Sequence, residues 1–409
     1  MRRIDQHAGP TRDMSVQSAV RTAVDAEAAV AAGRPLRVCF ISPLGYGLYD
    51  RSSGYPFGGA EVQFYLLASE LARDPAYRVT VLVTVREEPG IESCGALTIV
   101  KRKGKGRLAP GGFLAAVSAF RDMLGQLRAI DADVYLHAGA GAEVGAYALI
   151  CRLLRRRFVY VVASSADLSD ANGNVRGPWR GLFPLGCRLA HAVVCRTDEQ
   201  MRRFRARYRC EGVLIRTGHP VPPAPATGAK STVLWVGRMH PLKQPEMFLD
   251  LAGRLPNERF VMVLTRDEVH EDLCQAIRSR AAALPNVVVH EDVAWQDVGR
   301  FFEEAKLFVN TSTYEGFPNT FVQAAMQATP ILSWTVDPDG ALTRHRIGYC
   351  AGGSFERLAE ETERICASKA HRADMGSRAR DYARQYHDLQ QSVRELKALV
   401  QSPELRVLS

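Results

Sequence analysis

Leu307-Phe-Val-Asn-Thr-Ser-Thr-Tyr-Glu-Gly-Phe-Pro-Asn-Thr-Phe-Val-Gln-Ala-Ala-Met-Gln327 decides the fold. Its opening apolar run has the length and composition of a buried parallel strand. A polar loop follows with Glu315, Gly316 and Phe317. Pro318 suits a first helical position, where a missing N–H costs nothing, and Asn319 to Gln327 reads as the helix. Such a strand-loop-helix turn points unpaired backbone N–H groups and the positive end of a helix dipole at one spot, which suits a phosphate. Gly316 is expected to let a ligand approach the backbone. Gln323, one helical turn beyond Asn319, faces the same side.

A second turn of this kind lies upstream. Val233 to Val236 is a short apolar strand, Gly237-Arg-Met-His-Pro-Leu-Lys243 is its loop, and a helix starts near Pro245. Arg238 and Lys243 can both reach a phosphate at that helix start, and such charge-assisted bonds are among the stronger ones. No Gly-x4-Gly-Lys-Ser/Thr run exists, so a Walker-type nucleotidase is not indicated. Further strands are expected at Phe260–Leu264, Val287–His290 and Pro330–Trp334, and Ala373–Leu399 reads as charged helix.

Pro220-Val-Pro-Pro-Ala-Pro225 and the Thr227-Gly-Ala that follows separate this series from an earlier one. There, strands are expected at Leu36–Ser42, Val79–Val85, Asp133–His137, Phe158–Ala163, Ala192–Cys195 and Val213–Arg216. Pro43-Leu-Gly-Tyr-Gly47 follows the first of them, but Asp50 occupies the third glycine position of a dinucleotide fingerprint, so a nicotinamide site is not expected. Gly58 and Gly59 stand before a helix beginning near Glu61. His137 ends a strand at the edge where ligands of open parallel sheets gather, and Ser165 and Asp167 follow the next strand there. Thr197, Asp198 and Glu199 are placed to cap an Arg-rich helix reaching Arg209.

At 409 residues, 46% hydrophobic and 24% charged, the chain exceeds a single core and should form two domains. We assign residues 1–34 to a flexible tail, 35–222 to a first and 228–372 to a second Rossmann-like domain, and 373–409 to a C-terminal helix crossing back. Nine scattered cysteines without metal-ligand spacing fit reduced thiols in the cytoplasm. No run of about 18 apolar residues is present, so no membrane-spanning helix is expected. Residues 1–225 hold 31 Lys and Arg against 20 Asp and Glu, a net +11, whereas the remainder is −2. An uneven basic half points to an anionic partner. Lys101-Arg-Lys-Gly-Lys-Gly-Arg107, read as a loop before an amphipathic helix at Phe113–Ile130, is the candidate contact with an anionic membrane surface. The alternative is a solvated charge run beside a core-packed helix.

The Glu315 stretch resembles the donor-binding motif of family 4 retaining glycosyltransferases, in which two Glu are separated by seven residues; here Gln323 stands in the second place. Gly237-Arg238-x4-Lys243 is similar to that family's Gly-Arg-x4-Lys signature. The resemblance spans roughly residues 36–395. It implies the α/β fold called GT-B, two doubly wound Rossmann-like domains facing a cleft. It also implies a UDP- or GDP-linked sugar as donor and a saccharide or lipid-linked acceptor, without nucleic acid. Glu315, Arg238, Lys243 and His137 are the implied catalytic residues. Gly237, Gly316, Phe317, Pro318, Asn319, Thr320, Gln323, Gly58 and Gly59 would complete the donor site, and Glu61, Ser165 and Asp167 the acceptor side.

No metal or other cofactor is expected, because Arg238 and Lys243 already supply cationic charge. The pairs Asp131/Asp133 and Asp337/Asp339 read as structural: the first precedes a strand, and Pro338 makes a turn of the second. Gln323 leaves open a non-catalytic nucleotide-sugar-binding partner. An epimerase or phosphorylase on the same fold is the other alternative.

Overall fold

The computed structural model describes residues 33–104, 113–168, 179–225 and 228–402. The expected tail up to residue 32 and Lys105–Arg107 lie outside the described residues, as does Thr227.

Fourteen strands form two sheets among these residues. The first sheet contains β1 (Leu36–Ile41), β2 (Tyr77–Val85), β3 (Gly90–Cys94), β4 (Leu97–Lys103), β5 (Val134–Ala138), β6 (Arg157–Val161), β7 (Ala192–Cys195) and β8 (Val213–Leu214). They lie in the order β3-β4-β2-β1-β5-β6-β7-β8, all parallel except β3 against β4. The second sheet contains β9 (Thr232–Arg238), β10 (Arg259–Thr265), β11 (Val287–Glu291), β12 (Ala305–Asn310), β13 (Ile331–Ser333) and β14 (Gly348–Cys350). Its order is β11-β10-β9-β12-β13-β14, parallel throughout. Strand order reverses between β1 and β5 and again between β9 and β12, so each sheet has one switch-point crevice. The two crevices face each other.

The helices of two turns or more are α1 (Gly59–Leu71), α2 (Phe113–Ile130), α3 (Ala142–Leu153), α4 (Leu182–Leu189), α5 (Asp198–Tyr208) and α6 (Pro245–Arg254). They continue with α7 (Glu271–Ala282), α8 (Asn319–Met326), α9 (Phe355–Ala367), α10 (Lys369–Tyr386) and α11 (Leu389–Gln401). Strands read as continuous apolar runs because both faces are buried. Along β1, Val38 and Phe40 pack under α1 and α11 while Cys39 and Ile41 pack under α2, α3 and α5. Leu307 and Val309 of β12 alternate with Phe308 in the same way. Gly145 and Gly186 let α3 and α4 touch backbone to backbone; a Cβ on Gly145 would lie 2.3 Å from the Leu182 carbonyl oxygen.

Two expectations are corrected. Lys101, Arg102 and Lys103 do not form a free basic loop but end β4, which pairs with the unanticipated β3 around Gly95 (φ +59°). Lys101 pairs with Glu92 at 2.9 Å, Lys103 with Glu88 at 2.5 Å, and Arg102 donates to Thr84 Oγ1 at 2.9 Å. The eighth strand stops at Leu214 and not at Arg216. Asp131 and Asp133 are structural: Asp133 holds Arg34 at 3.1 Å and Arg37 at 3.0 Å at the sheet edge away from the cleft.

The chain passes between the two units twice, and the passages lie side by side. His219 N donates to His387 O at 2.9 Å, and Leu389 N donates to His219 O at 3.0 Å. From there α11 packs Leu389, Val393, Leu396 and Val400 into the core of the first sheet, and Lys397 pairs with Asp74 at 2.6 Å. The His387 imidazole faces Thr217 O at 2.7 Å and stacks 4.1 Å from the Phe317 ring. Burial depresses its pKa to about 3, against the opposing pull of that carbonyl. Burial likewise holds His219 at about 4 although it faces Asn319 Oδ1 at 3.2 Å.

Both imidazoles are therefore neutral when folded and take up protons near pH 6.5 when unfolded. The unfolded state binds more protons between those values, so stability is present above pH 6.5 and lost as pH falls toward about 4 and about 3. At pH 5 each histidine should cost about 2 kcal/mol relative to pH 7 or above. Tm measured from pH 8 to pH 5 should fall steadily, and the slope should flatten in a His387→Gln variant. An unchanged slope would show that these groups are not buried neutral.

Candidate functional site

A cleft of about 530 Å³ opens between the two switch points, within the range of sites that enclose small ligands. Its second-unit wall is built at the ends of β9 and β12. Gly237 and Arg238 close β9, and a single turn at Pro241–Lys243 leads through Gln244 (φ +45°) into α6. The turn is pinned to the loop after β12. Thr311 Oγ1 donates to Lys243 O at 2.5 Å, and Thr313 N donates to Leu242 O at 2.9 Å. Trp235 Nε1 holds Thr311 from below at 2.9 Å. Lys243 and Glu315 thereby meet as a direct ion pair in the cleft, and Arg238 Nε stands 3.4 Å from Asp267.

The helix α8 starts at Asn319, as the sequence suggests, with Pro318 as its N-cap, and no side chain caps it. Its first N–H groups thus face the cleft beside Thr320 and Gln323, which also line it. Arg238, Lys243 and this helix start share one corner, where Asp267 and Glu315 balance the two cations.

Three of the expected donor-site residues line the cleft and also help to hold it together. Phe317 does not present its ring to a ligand: it is buried against His387, Tyr382 and Phe321, and its carbonyl accepts from Thr217 Oγ1 at 3.2 Å. Gly316 lines the cleft and also makes room for the opposite unit, since a Cβ there would lie 3.0 Å from Ala163 O. The Asn319 side chain is engaged in bridging the units. Its Nδ2 donates to Gly59 O at 2.8 Å, and its Oδ1 accepts from Gln63 Nε2 at 2.7 Å. A Cβ on Gly59 would lie 3.0 Å from Asn319 Nδ2 and press on that bridge.

On the first-unit wall, Glu61 reaches back to Gly58 N at 3.1 Å and caps α1 while lining the cleft. His137 is buried at the end of β5; Nδ1 faces Ile41 O at 3.4 Å, and Nε2 has no partner among the described residues. Burial lowers its pKa, so it stands neutral with one ring nitrogen open. Asp167 accepts from Ala163 N at 2.9 Å and Ser164 N at 3.2 Å. Burial nevertheless lifts it to about 6. Ser165 does not line the cleft; its N–H donates to Glu315 O at 3.3 Å across the units.

Residues absent from the sequence reading also matter. Gln63, buried in α1, exchanges bonds of 3.0 Å with both the N–H and the carbonyl of Gly218. A lone amide on the apolar Val62–Leu67 face was its only signal. Trp295 packs against Tyr65 of the first unit at 5.5 Å, and Arg196 and Thr217 line the floor. The second Asp pair is structural: Asp339 accepts from Asp198 N at 2.9 Å and Glu199 N at 2.7 Å, capping α5 of the other unit. Asp337 accepts from Leu342 N at 2.7 Å. No cluster of three metal-ligating side chains occurs among the described residues.

Residues 230–368 match the family model described as glycosyl transferases group 1, and residues 57–220 match the one described as glycosyltransferase family 4. Together they take in more than half of the chain. No curated protein sequence matches significantly. Among solved structures, sucrose-phosphate synthase from Thermosynechococcus elongatus superposes with a TM-score of 0.70 at 14% identity, covering 89% of this chain and 98% of that one. HepE from Anabaena, in complex with UDP and glucose, gives 0.66 at 16%, covering 88% and 98%. WaaG, a glycosyltransferase involved in lipopolysaccharide biosynthesis, gives 0.64 at 16%, covering 89% and 99%. At such identities the likeness speaks for the two-sheet GT-B fold alone.

Proposed function

The chain belongs to the group 1, family 4 glycosyltransferases, and on that premise we propose that it is a retaining, metal-independent enzyme moving a sugar from a UDP- or GDP-linked donor to a saccharide or lipid-linked acceptor. The observation that supports it most is the corner of Arg238, Lys243 and the uncapped start of α8, held in one cleft with Glu315.

The donor diphosphate sits in that corner. Lys243 swings from Glu315 to the phosphates, and Glu315 is freed to accept from a hydroxyl of the sugar. Gln323 accepts from a ribose hydroxyl with its amide oxygen. Transfer proceeds on one face of the sugar. As the sugar–phosphate bond lengthens, negative charge gathers on the diphosphate, where Arg238, Lys243 and the helix start stabilise it. The departing phosphate oxygen takes the acceptor proton as the new bond forms. Open Nε2 of His137 hydrogen-bonds the sugar from the first unit.

Arg238→Ala or Lys243→Ala should each remove about 2–4 kcal/mol of transition-state stabilisation, read as a fall in kcat with folding intact. Near-wild-type turnover by both would sink the donor assignment.

Turnover should survive EDTA, since side chains and backbone supply the positive charge. Loss of activity restored by Mg²⁺ or Mn²⁺ would refute metal independence.

We further propose a cytoplasmic enzyme attached peripherally to an anionic membrane by the first unit. No helix among the described residues is long and apolar enough to cross a membrane. The feature favouring attachment is α2, which leaves Leu114 82% and Val117 40% exposed. Co-sedimentation with anionic vesicles should weaken steeply with salt, and Leu114→Ser should reduce it without altering donor affinity. Absence of binding at low salt would exclude this attachment.

A further inference from the structure

Arg196 follows the last residue of β7, at the cleft edge of the first sheet, and is only 5% exposed. Its Nη1 donates to Ile215 O at 3.2 Å, and no carboxylate pairs with it among the described residues. A buried cation without a counter-charge is costly, and the other charged groups in a functional cleft normally supply one. Among the carboxylates lining the cleft, Glu315 pairs with Lys243, Glu61 accepts from Gly58 N and Asp167 from two peptide N–H groups, while Glu143 stands in the first turn of α3; none pairs with Arg196 among the described residues.

The surroundings are rich in donors as well. Gln200, fully buried on α5, uses its carbonyl oxygen to accept from Arg196 N at 2.8 Å. Its Nε2 is buried without an acceptor. Burial draws the Arg196 guanidinium down to about 10, which leaves it charged at neutral pH. Arg196 belongs to the first unit, whereas Arg238, Lys243 and the start of α8 belong to the second.

We propose that Arg196 forms an acceptor subsite for a sugar bearing an anionic group, a carboxylate or a phosphate. The proposal rests on the glycosyl-transfer reading above and names the class of acceptor for that same cleft. A planar guanidinium with Nε and Nη2 remaining can grip two oxygens of such a group at once. Held from the first unit, the anion would fix which hydroxyl of the acceptor faces the donor sugar.

The test uses the full chain saturated with UDP or GDP, whichever binds, and titrates glucose, glucose 6-phosphate and glucuronate at matched ionic strength. One anionic sugar should bind at least about tenfold more tightly than glucose, as charge-assisted bonds imply, and which one does so separates phosphate from carboxylate. Arg196→Gln should bring the ratio near one while leaving nucleotide affinity unchanged; Arg196→Lys should keep part of it. No preference in the wild type, a preference surviving Arg196→Gln, or weakened nucleotide binding in that variant would each overturn the proposal. So would a preference for UDP-glucuronate over UDP-glucose that Arg196→Gln abolishes, since the anion would then belong to the donor. If neither nucleotide stabilises the wild type, the glycosyl-transfer reading itself falls. Should Arg196→Gln fail to fold, the wild-type comparison and Arg196→Lys still decide.

Discussion

The His219 peptide, hydrogen-bonded on one side to His387 O and on the other to Leu389 N, is the constraint on which the molecule depends. The two passages between the units are welded into a short ribbon there. Everything that forms the cleft follows from the angle this ribbon sets. Asn319 reaches Gly59 and Gln63, Glu315 O meets Ser165 N, and Trp295 packs on Tyr65. The ribbon's two imidazoles are buried and neutral, so it holds without ions.

Charge inside the cleft is arranged to be exchangeable. Lys243 and Glu315 neutralise each other on a wall fixed by Thr311 and Trp235, so the scaffold need not rearrange when the partners separate. Separated, each partner would offer its full charge to a ligand in the cleft that both line.

How much of this was legible depends on how local its cause was. Strands such as Val38–Ile41 and Leu307–Val309 were plain because burial on both faces leaves no polar position. Arg238, Lys243 and Glu315 were legible from spacing, since a strand-to-helix turn fixes where they point. The β3–β4 hairpin was not, because Lys101 and Lys103 read as a solvated run until Glu92 and Glu88 appear beside them. The packing of Phe317 was hidden for a similar reason: its neighbours His387 and Tyr382 lie far along the chain. The bridging roles of Gln63, Asn319 and Asp339 are also long-range, and nothing near them in the sequence announces a partner.

Asp339 has a consequence for building hybrids. Its carboxylate belongs to the second unit, yet it caps a helix start of the first by capturing Asp198 N and Glu199 N, with Arg216 at 3.5 Å. The halves are therefore not interchangeable cassettes, however clean the Pro-rich seam between them looks. A chimera joined at that seam would leave Thr197 as the cap of α5 but strand Asp198 N and Glu199 N unless the incoming half brought an acid to the same place. Compatibility of halves should be judged by this contact first, and by the linker second.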